Sequence, residues 1–342
     1  LSQLSYSPKF SGDGNGCYCS NQLPVPSQKN EKKRICVMEF KRFGSTDLEV
    51  SRVGLGCGGH SRLGLVNGGV SQASSIVSHA MDLGINFFDT ARIYGTEEIV
   101  GEALKGKRSE CVISTKTLVM DRQGSFLSPD KIVGSLEKSL SRLRTDYVDI
   151  FNLHGVRPEE LDFCLENYLE PLLREVAKGK IRYLGITELF GEDTRHEMLE
   201  KVLEREIFDS LMVGFNLLNP SARKKVFPLC VEKNVGTQIM FSVRRALSNP
   251  EHLKKTVGQL IENNEVDETM LDKDNPLQFL MDEPGVRSVV DAAYRFCIRE
   301  PGVDVVLTGT GSKEHLSENV RALTGPVLSD DLLQRLEKIF GG

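Results

Sequence analysis

Short apolar runs recur eight times along this chain, and most are followed by a segment with the three-to-four-residue spacing of an amphipathic helix. The runs are VGLGC (53–57), INFFDT (85–90), CVISTK (111–116), YVDIFNLH (147–154), IRYLGITEL (181–189), SLMVGFN (210–216), TQIMFS (237–242) and DVVLTGT (304–310). Between them lie patterns such as SSIVSHAMDLG, PDKIVGSLEKSLSRL and VRSVVDAAYRFCIRE, several of them opened by Pro, Ser or Asp. A strand that is apolar throughout is buried on both faces, and helices between the strands supply the cover, so the alternation calls for a parallel sheet. Eight such units with no linker between halves predict one α/β domain, a (β/α)8 TIM barrel.

The barrel is expected over residues 38–342. Residues 1 to 37 are rich in Ser, Gly, Asn and Pro without periodicity, and read as a disordered leader that offers no core. It fits an isoform extension, a processed segment or a weak organellar signal, the scarcity of arginine arguing against the last. The stretch 243–285, polar and interrupted by Pro250, Pro276 and Pro284, is too long for an ordinary loop and is expected as a lid or accessory helix. GLGCGG matches a dinucleotide-binding fingerprint through Gly54, Gly56 and Gly59, but the next helical pattern opens only near Gln72. That is too late for a helix N-terminus to meet a pyrophosphate at the third glycine.

A net charge of −5, with Lys and Arg scattered, suggests neither nucleic acid nor an anionic membrane as partner, and no apolar run is long enough to span a bilayer. The expected partner is a small molecule, and the expected location the cytoplasm. Eight cysteines without a CxxC pair read as reduced thiols, with no metal site.

In such a barrel, functional residues collect at the carboxyl ends of the strands and in the loops just after them. Asp89 closes the second run, Tyr94 stands in the loop after it, Lys116 closes the third and His154 the fourth. Singly, each has an ordinary structural role: Asp89 can cap a turn, Tyr94 can pack, Lys116 can lay its stem over apolar surface, and His154 can sit hydrogen-bonded in a core. Together, at equivalent ends of three consecutive strands, they point to proton transfer. A tyrosine hydroxyl, with an ordinary pKa of about 10, works near neutrality only beside a group that favours phenolate or relays its proton. Lys116 would supply the charge and Asp89 would keep the lysine ionised against desolvation. His154 would donate a hydrogen bond to a carbonyl oxygen.

GINFFDTARIYGTEEIVGEAL, VISTK, RLRTDYVDIFNLHG, GKIRYLGITE, FNLLN and TGTGSKEHLSENVRAL, in this order and spacing, resemble the aldo-keto reductases from Phe40 to Phe340. The resemblance implies a barrel that binds NADP(H), or less often NAD(H), at its C-terminal mouth without a metal. It maps the family's catalytic tetrad onto Asp89, Tyr94, Lys116 and His154. Hydride would pass between nicotinamide and the carbonyl carbon of an aldehyde, ketone or sugar while Tyr94 gives or takes the proton. Two rivals share the fold: an NAD-dependent sugar or alcohol dehydrogenase working oxidatively, and a cofactor-sensing regulatory subunit like the potassium-channel β subunits.

The resemblance also implies cofactor positions. Backbone at Cys57 and Gly58, at the mouth of the first strand, would approach the cofactor. Thr187 and Glu188 replace the Ser-Asn pair that holds the carboxamide, the glutamate departing from the amide, and Met212 replaces a glutamine. Phe241 takes the place of the stacking aromatic, with Met240 as alternative, and Ser242 follows. Arg244 and Arg245 either meet the pyrophosphate or face water. Gly309, Thr310 and Gly311 turn into a helix whose first amides receive an anion. Ser312 and Lys313 are placed for a 2′-phosphate beside His315, which replaces an arginine, and Glu318 and Asn319 match the pair that reads adenine. NADP(H) is therefore expected over NAD(H). The substrate is chosen by loops 60–72, 118–128 and 243–285, which carry no motif, and nothing in the sequence speaks to oligomeric state.

Overall fold

A computed structural model describes residues 37–341; the expected leader, residues 1 to 37, lies outside these but for its last residue. Strands β1 (Phe40–Arg42) and β2 (Glu49–Ser51) form an antiparallel hairpin. Eight further strands follow: β3 (Val53–Gly56), β4 (Phe87–Asp89), β5 (Val112–Leu118), β6 (Val148–Val156), β7 (Ile181–Glu188), β8 (Ser210–Gly214), β9 (Gly236–Met240) and β10 (Val305–Thr308). They close in the order β10-β3-β4-β5-β6-β7-β8-β9, every pair parallel. This is the (β/α)8 barrel that the alternation predicts.

The helix Pro129–Leu143 shows how the outer layer forms. Proline opens it at a position where no amide donor is needed, and Arg144, in a left-handed conformation (φ 54), stops it. Ile132, Leu136, Leu140 and Leu143, three or four residues apart, form one buried stripe against the barrel. Each contributes about 1.5–3 kcal/mol of burial.

The barrel interior is layered. At the amino-terminal end Phe87, Val112, Ile150 and Val305 meet Phe43, Leu48 and Val50 of the hairpin, which plugs that end. Gly236 is needed there, because a Cβ would fall 2.3 Å from the Phe43 ring. Above lies a polar layer: Gln238 Nε2 donates to Ser210 Oγ (2.8 Å), Ser114 Oγ lies 3.0 Å from Gln238 Oε1, and Asn152 Nδ2 donates to Ser114 Oγ (3.0 Å). The carboxyl end of the barrel thus rests on a fixed polar floor.

Gly54 of GLGCGG serves barrel closure: a Cβ there would come within 2.8 Å of Leu307 and Val305. Helix Leu65–Asp82 starts earlier than the sequence pattern indicates but breaks at Gly69 (φ 69, ψ −170). The accessory segment contains helices Arg245–Ser248 and Pro250–Glu262 and two short 3-10 turns, Glu268–Met270 and Gln278–Asp282. Among the described residues no helix is long and apolar enough to cross a membrane.

Candidate active site

Asp89, Lys116 and His154 are brought to one end of the barrel by neighbouring strands, and Tyr94 by the turn after β4. That turn is held at both ends. Thr90 Oγ1 and Thr96 Oγ1 lie 3.0 Å apart, Thr96 Oγ1 donates to the Cys57 carbonyl (3.1 Å), and Cys57 N donates to the Asp89 carbonyl (2.7 Å). Gly95, at φ 72, lets the chain leave the single 3-10 turn that presents Tyr94.

Lys116 is fully buried, its ammonium donating to Asp89 Oδ1 and, at 3.0 Å, to the Thr90 carbonyl. Burial opposes that charge, but Asp89 and the tyrosine beside it more than offset burial, so the lysine pKa lies above its ordinary value. Burial pushes the Asp89 carboxyl up against the pull of Lys116. The Lys116 ammonium lies 5.3 Å from the centre of the Tyr94 ring, and His154 meets the same ring edge-on at 6.0 Å. Burial also raises the Tyr94 pKa, outweighing the lowering influence of Lys116. The phenol is therefore protonated at neutral pH: the lysine moderates its acidity without producing a phenolate. His154 is pushed down to about 3 by burial and by Lys116, so it stands as neutral imidazole. The set is a protonated phenol beside an ammonium and a neutral hydrogen-bonding ring, suited to protonating an oxygen that gains negative charge.

A cleft of about 1080 Å³ opens over Asp89 and Tyr94, which line it with Gly58, Phe241, Ser242, Gly309, Thr310, Gly311, Ser312 and His315, while Lys116 and His154 are not part of its lining. A smaller cavity of about 570 Å³ shares Gly309, Thr310 and His315 with it and adds Glu318 and Asn319. Across the cleft Gln72 Nε2 donates to the Gly311 carbonyl (2.5 Å). The two backbones pass so close that a Cβ on Gly311 would sit 2.8 Å from Gly64 Cα. Ser242 Oγ is buried without a partner, an orphan polar atom at the cleft that suits a polar ligand.

Other sequence-predicted residues stand apart. Cys57 is buried beneath the site, where burial raises its thiol pKa. Thr187 accepts from Gly155 N (2.7 Å). Glu188 is buried and engaged by His196 Nδ1 (2.9 Å) and Gly214 N (2.7 Å), and burial raises its pKa. Met212 is buried in register with Thr187 and Gln238. Lys313 is exposed and lines neither cavity, whereas Asn319 lines the smaller one with its Nδ2 donating to Thr308 Oγ1 (2.9 Å). Sequence reasoning passed over Arg287, Tyr294 and Arg321, which line the smaller cavity, and the polar floor of Ser114, Asn152, Ser210 and Gln238.

Gly58 makes a testable contact. A Cβ there would lie 2.6 Å from the Tyr94 ring, so Gly58→Ala should displace the phenol. We expect turnover to fall by up to about 100-fold with little change in melting temperature. Unaltered turnover would show that the ring position does not matter.

The model of the aldo/keto reductase family matches residues 57–340. An uncharacterized oxidoreductase, YqkF, of Bacillus subtilis (strain 168) is 28% identical over 309 residues, covering 88% of this chain and 96% of that protein. L-galactose dehydrogenase of Arabidopsis thaliana is 33% identical over 207 residues, covering 58% of this chain and 63% of that one. The holo form of aldo-keto reductase AKR11C1 from Bacillus halodurans superposes with a TM-score of 0.69 at 27% identity, covering 88% and 96% of the two chains. With a closed eight-stranded barrel, a buried lysine–aspartate pair below a tyrosine, and a family match over most of its length, this chain belongs to the aldo/keto reductase family, oxidoreductases that use a nicotinamide cofactor.

Proposed function

We propose that the protein is an NADP(H)-dependent reductase of an aldehyde, ketone or sugar carbonyl, with Tyr94 as proton donor, acting in the cytoplasm. The observation that carries the reading is the buried Asp89–Lys116 pair beneath a phenol that stays protonated beside neutral His154. The nicotinamide cofactor supplies the hydride. The orphan Ser242 Oγ and the backbone of Gly309 and Gly311 fit such a group in the cleft, and Phe241 offers an aromatic face, 43% exposed. His154 orients the carbonyl, Tyr94 delivers the proton to its oxygen, and the ammonium of Lys116 steadies the negative charge left on the phenol oxygen. Fluorescence titration with NADPH and NADH, followed by a carbonyl panel, tests this; no cofactor-dependent turnover of any carbonyl would refute it.

We infer that NADP(H) preference rests on Lys313, which stands exposed at the rim outside the lining of both cavities, with Ser312 and His315. Ser312 caps the helix Lys313–Leu323, accepting from His315 N. A cation at that helix start is mildly unfavourable unless it meets an anion. Lys313→Ala should weaken NADPH binding by roughly 1 to 3 kcal/mol and spare NADH. Equal effects on both would remove the lysine from this role and turn attention to Arg321, which lines the cavity beside Glu318 and Asn319. A second reading, oxidation of a sugar with NAD, is favoured by the similarity to L-galactose dehydrogenase. A faster NAD-linked oxidation than any NADPH-linked reduction would establish it.

A further inference from the structure

Next to the cofactor cleft lies a separate cavity of about 780 Å³. Phe190 lines only this cavity and Phe241 only the cleft, and the two rings stack at 6.0 Å with 28° between planes, so together they form the partition. Phe241 holds a left-handed backbone (φ 64), which for a bulky residue is costly and persists where the surroundings enforce it. Phe190 packs on Gly214, where a Cβ would fall 2.3 Å from the ring, and its plane also stacks on His196 at 5.7 Å. His196 is pinned on both nitrogens, by Glu188 at 2.9 Å and by Ser221 Oγ at 2.9 Å.

Arg244 lines both spaces, its guanidinium lying 4.6 Å over the Phe241 ring and 5.5 Å from the Phe190 ring. Arg195 lines the cavity too, and among the described residues the lining carries one side-chain carboxylate, Glu265, whose Oε1 accepts from Asn263 Nδ2 (2.9 Å). Among the described residues no carboxylate lies within ion-pair distance of Arg195 or Arg244. Burial, with no opposing charge, lowers the Arg244 pKa. A guanidinium stacked on aromatic rings keeps its N–H edge free for a planar anion. Arg244 so stacked, and the exposed Arg195 beside it without an ion-pair partner among the described residues, put two guanidinium groups at one cavity, which suits it to negative charge.

We propose that this cavity receives a carboxylate or phosphate group carried by the carbonyl substrate, with Arg195 and Arg244 as its receptor and the Phe190–Phe241 pair separating it from the cofactor. The inference deepens the carbonyl-reductase reading and rests on it. It is tested with matched substrates, 4-carboxybenzaldehyde against benzaldehyde and glyceraldehyde 3-phosphate against glyceraldehyde, on the full chain and on Arg195→Met and Arg244→Met. In at least one pair the anionic member should have the lower KM. Arg195→Met should raise that KM roughly 10- to 100-fold and leave the neutral member and NADPH affinity within about twofold. The pair that responds identifies the anion. The proposal is overturned if neither pair shows a preference, if Arg195→Met leaves the preference intact, or if Arg244→Met weakens NADPH and both members of each pair alike. Calorimetric titration of the NADP-loaded protein with 4-carboxybenzoate and with inorganic phosphate needs no turnover. Arg195-dependent binding without turnover would sustain the site and refute the reductase reading, whereas its absence would refute the site.

Discussion

Tyr94→Phe should keep its cofactor affinity and lose carbonyl reduction by roughly 100- to 10,000-fold, the range expected when a positioned proton donor is removed. The substitution deletes one oxygen and leaves the ring that meets His154 and faces Lys116, so packing is preserved. The pH profile adds a second reading. Because burial raises the Tyr94 pKa, the donor stays protonated through neutrality, and reduction should hold level there and fall only as pH climbs past about 10. His154 does not produce an acidic limb near pH 6, since its pKa is pushed down to about 3. Unchanged turnover in Tyr94→Phe, or a rate falling with a midpoint near 6.5, would remove Tyr94 or the neutral His154 from the scheme.

The fold was legible because a strand buried on both faces and its covering helix write two different periods into the sequence, and eight repetitions leave few architectures. The residues at the strand ends were legible for a related reason: Asp89, Lys116 and His154 interrupt apolar runs where a purely structural strand would not. The polar floor was not. Ser114, Asn152, Ser210 and Gln238 are buried inside strands apolar on both sides, so no alternation distinguishes inward from outward positions. Nor could the sequence say where the Glu188 carboxylate goes. Its partner His196 stands eight residues on, in a left-handed conformation (φ 63) that no spacing rule announces. The cavity of Arg195 and Arg244 is assembled from two loops, the accessory segment and the end of the last helix, and loops carry their meaning in three-dimensional placement.

Lys116→Met should be as damaging to turnover as the loss of Tyr94, about 100-fold or more, and should also destabilise the protein. The ammonium is fully buried, and its partner Asp89 is nearly so. Methionine fills much the same space and leaves Asp89 without its counter-charge in the interior, with Ser114 Oγ (3.2 Å) as remaining donor. Breaking a buried pair from one side costs about 3–5 kcal/mol, more than both sides replaced together. The carboxyl escapes by taking up a proton. Asp89 already has a raised pKa from burial, and loss of Lys116 removes the influence that lowers it. A carboxyl whose folded-state pKa is raised contributes stability below its unfolded value, about 3.9, and loses it as pH rises through the folded value. The mutant should therefore lie furthest below the parent at neutral pH and approach it as pH falls toward about 4. Melting temperatures of parent and Lys116→Met across that range measure the difference directly. A gap constant with pH would mean that Asp89 is not the group left stranded. Lys116→Met,Asp89→Leu, which removes both charges, should recover stability without recovering turnover, separating the cost of the buried charge from the work the lysine does for Tyr94.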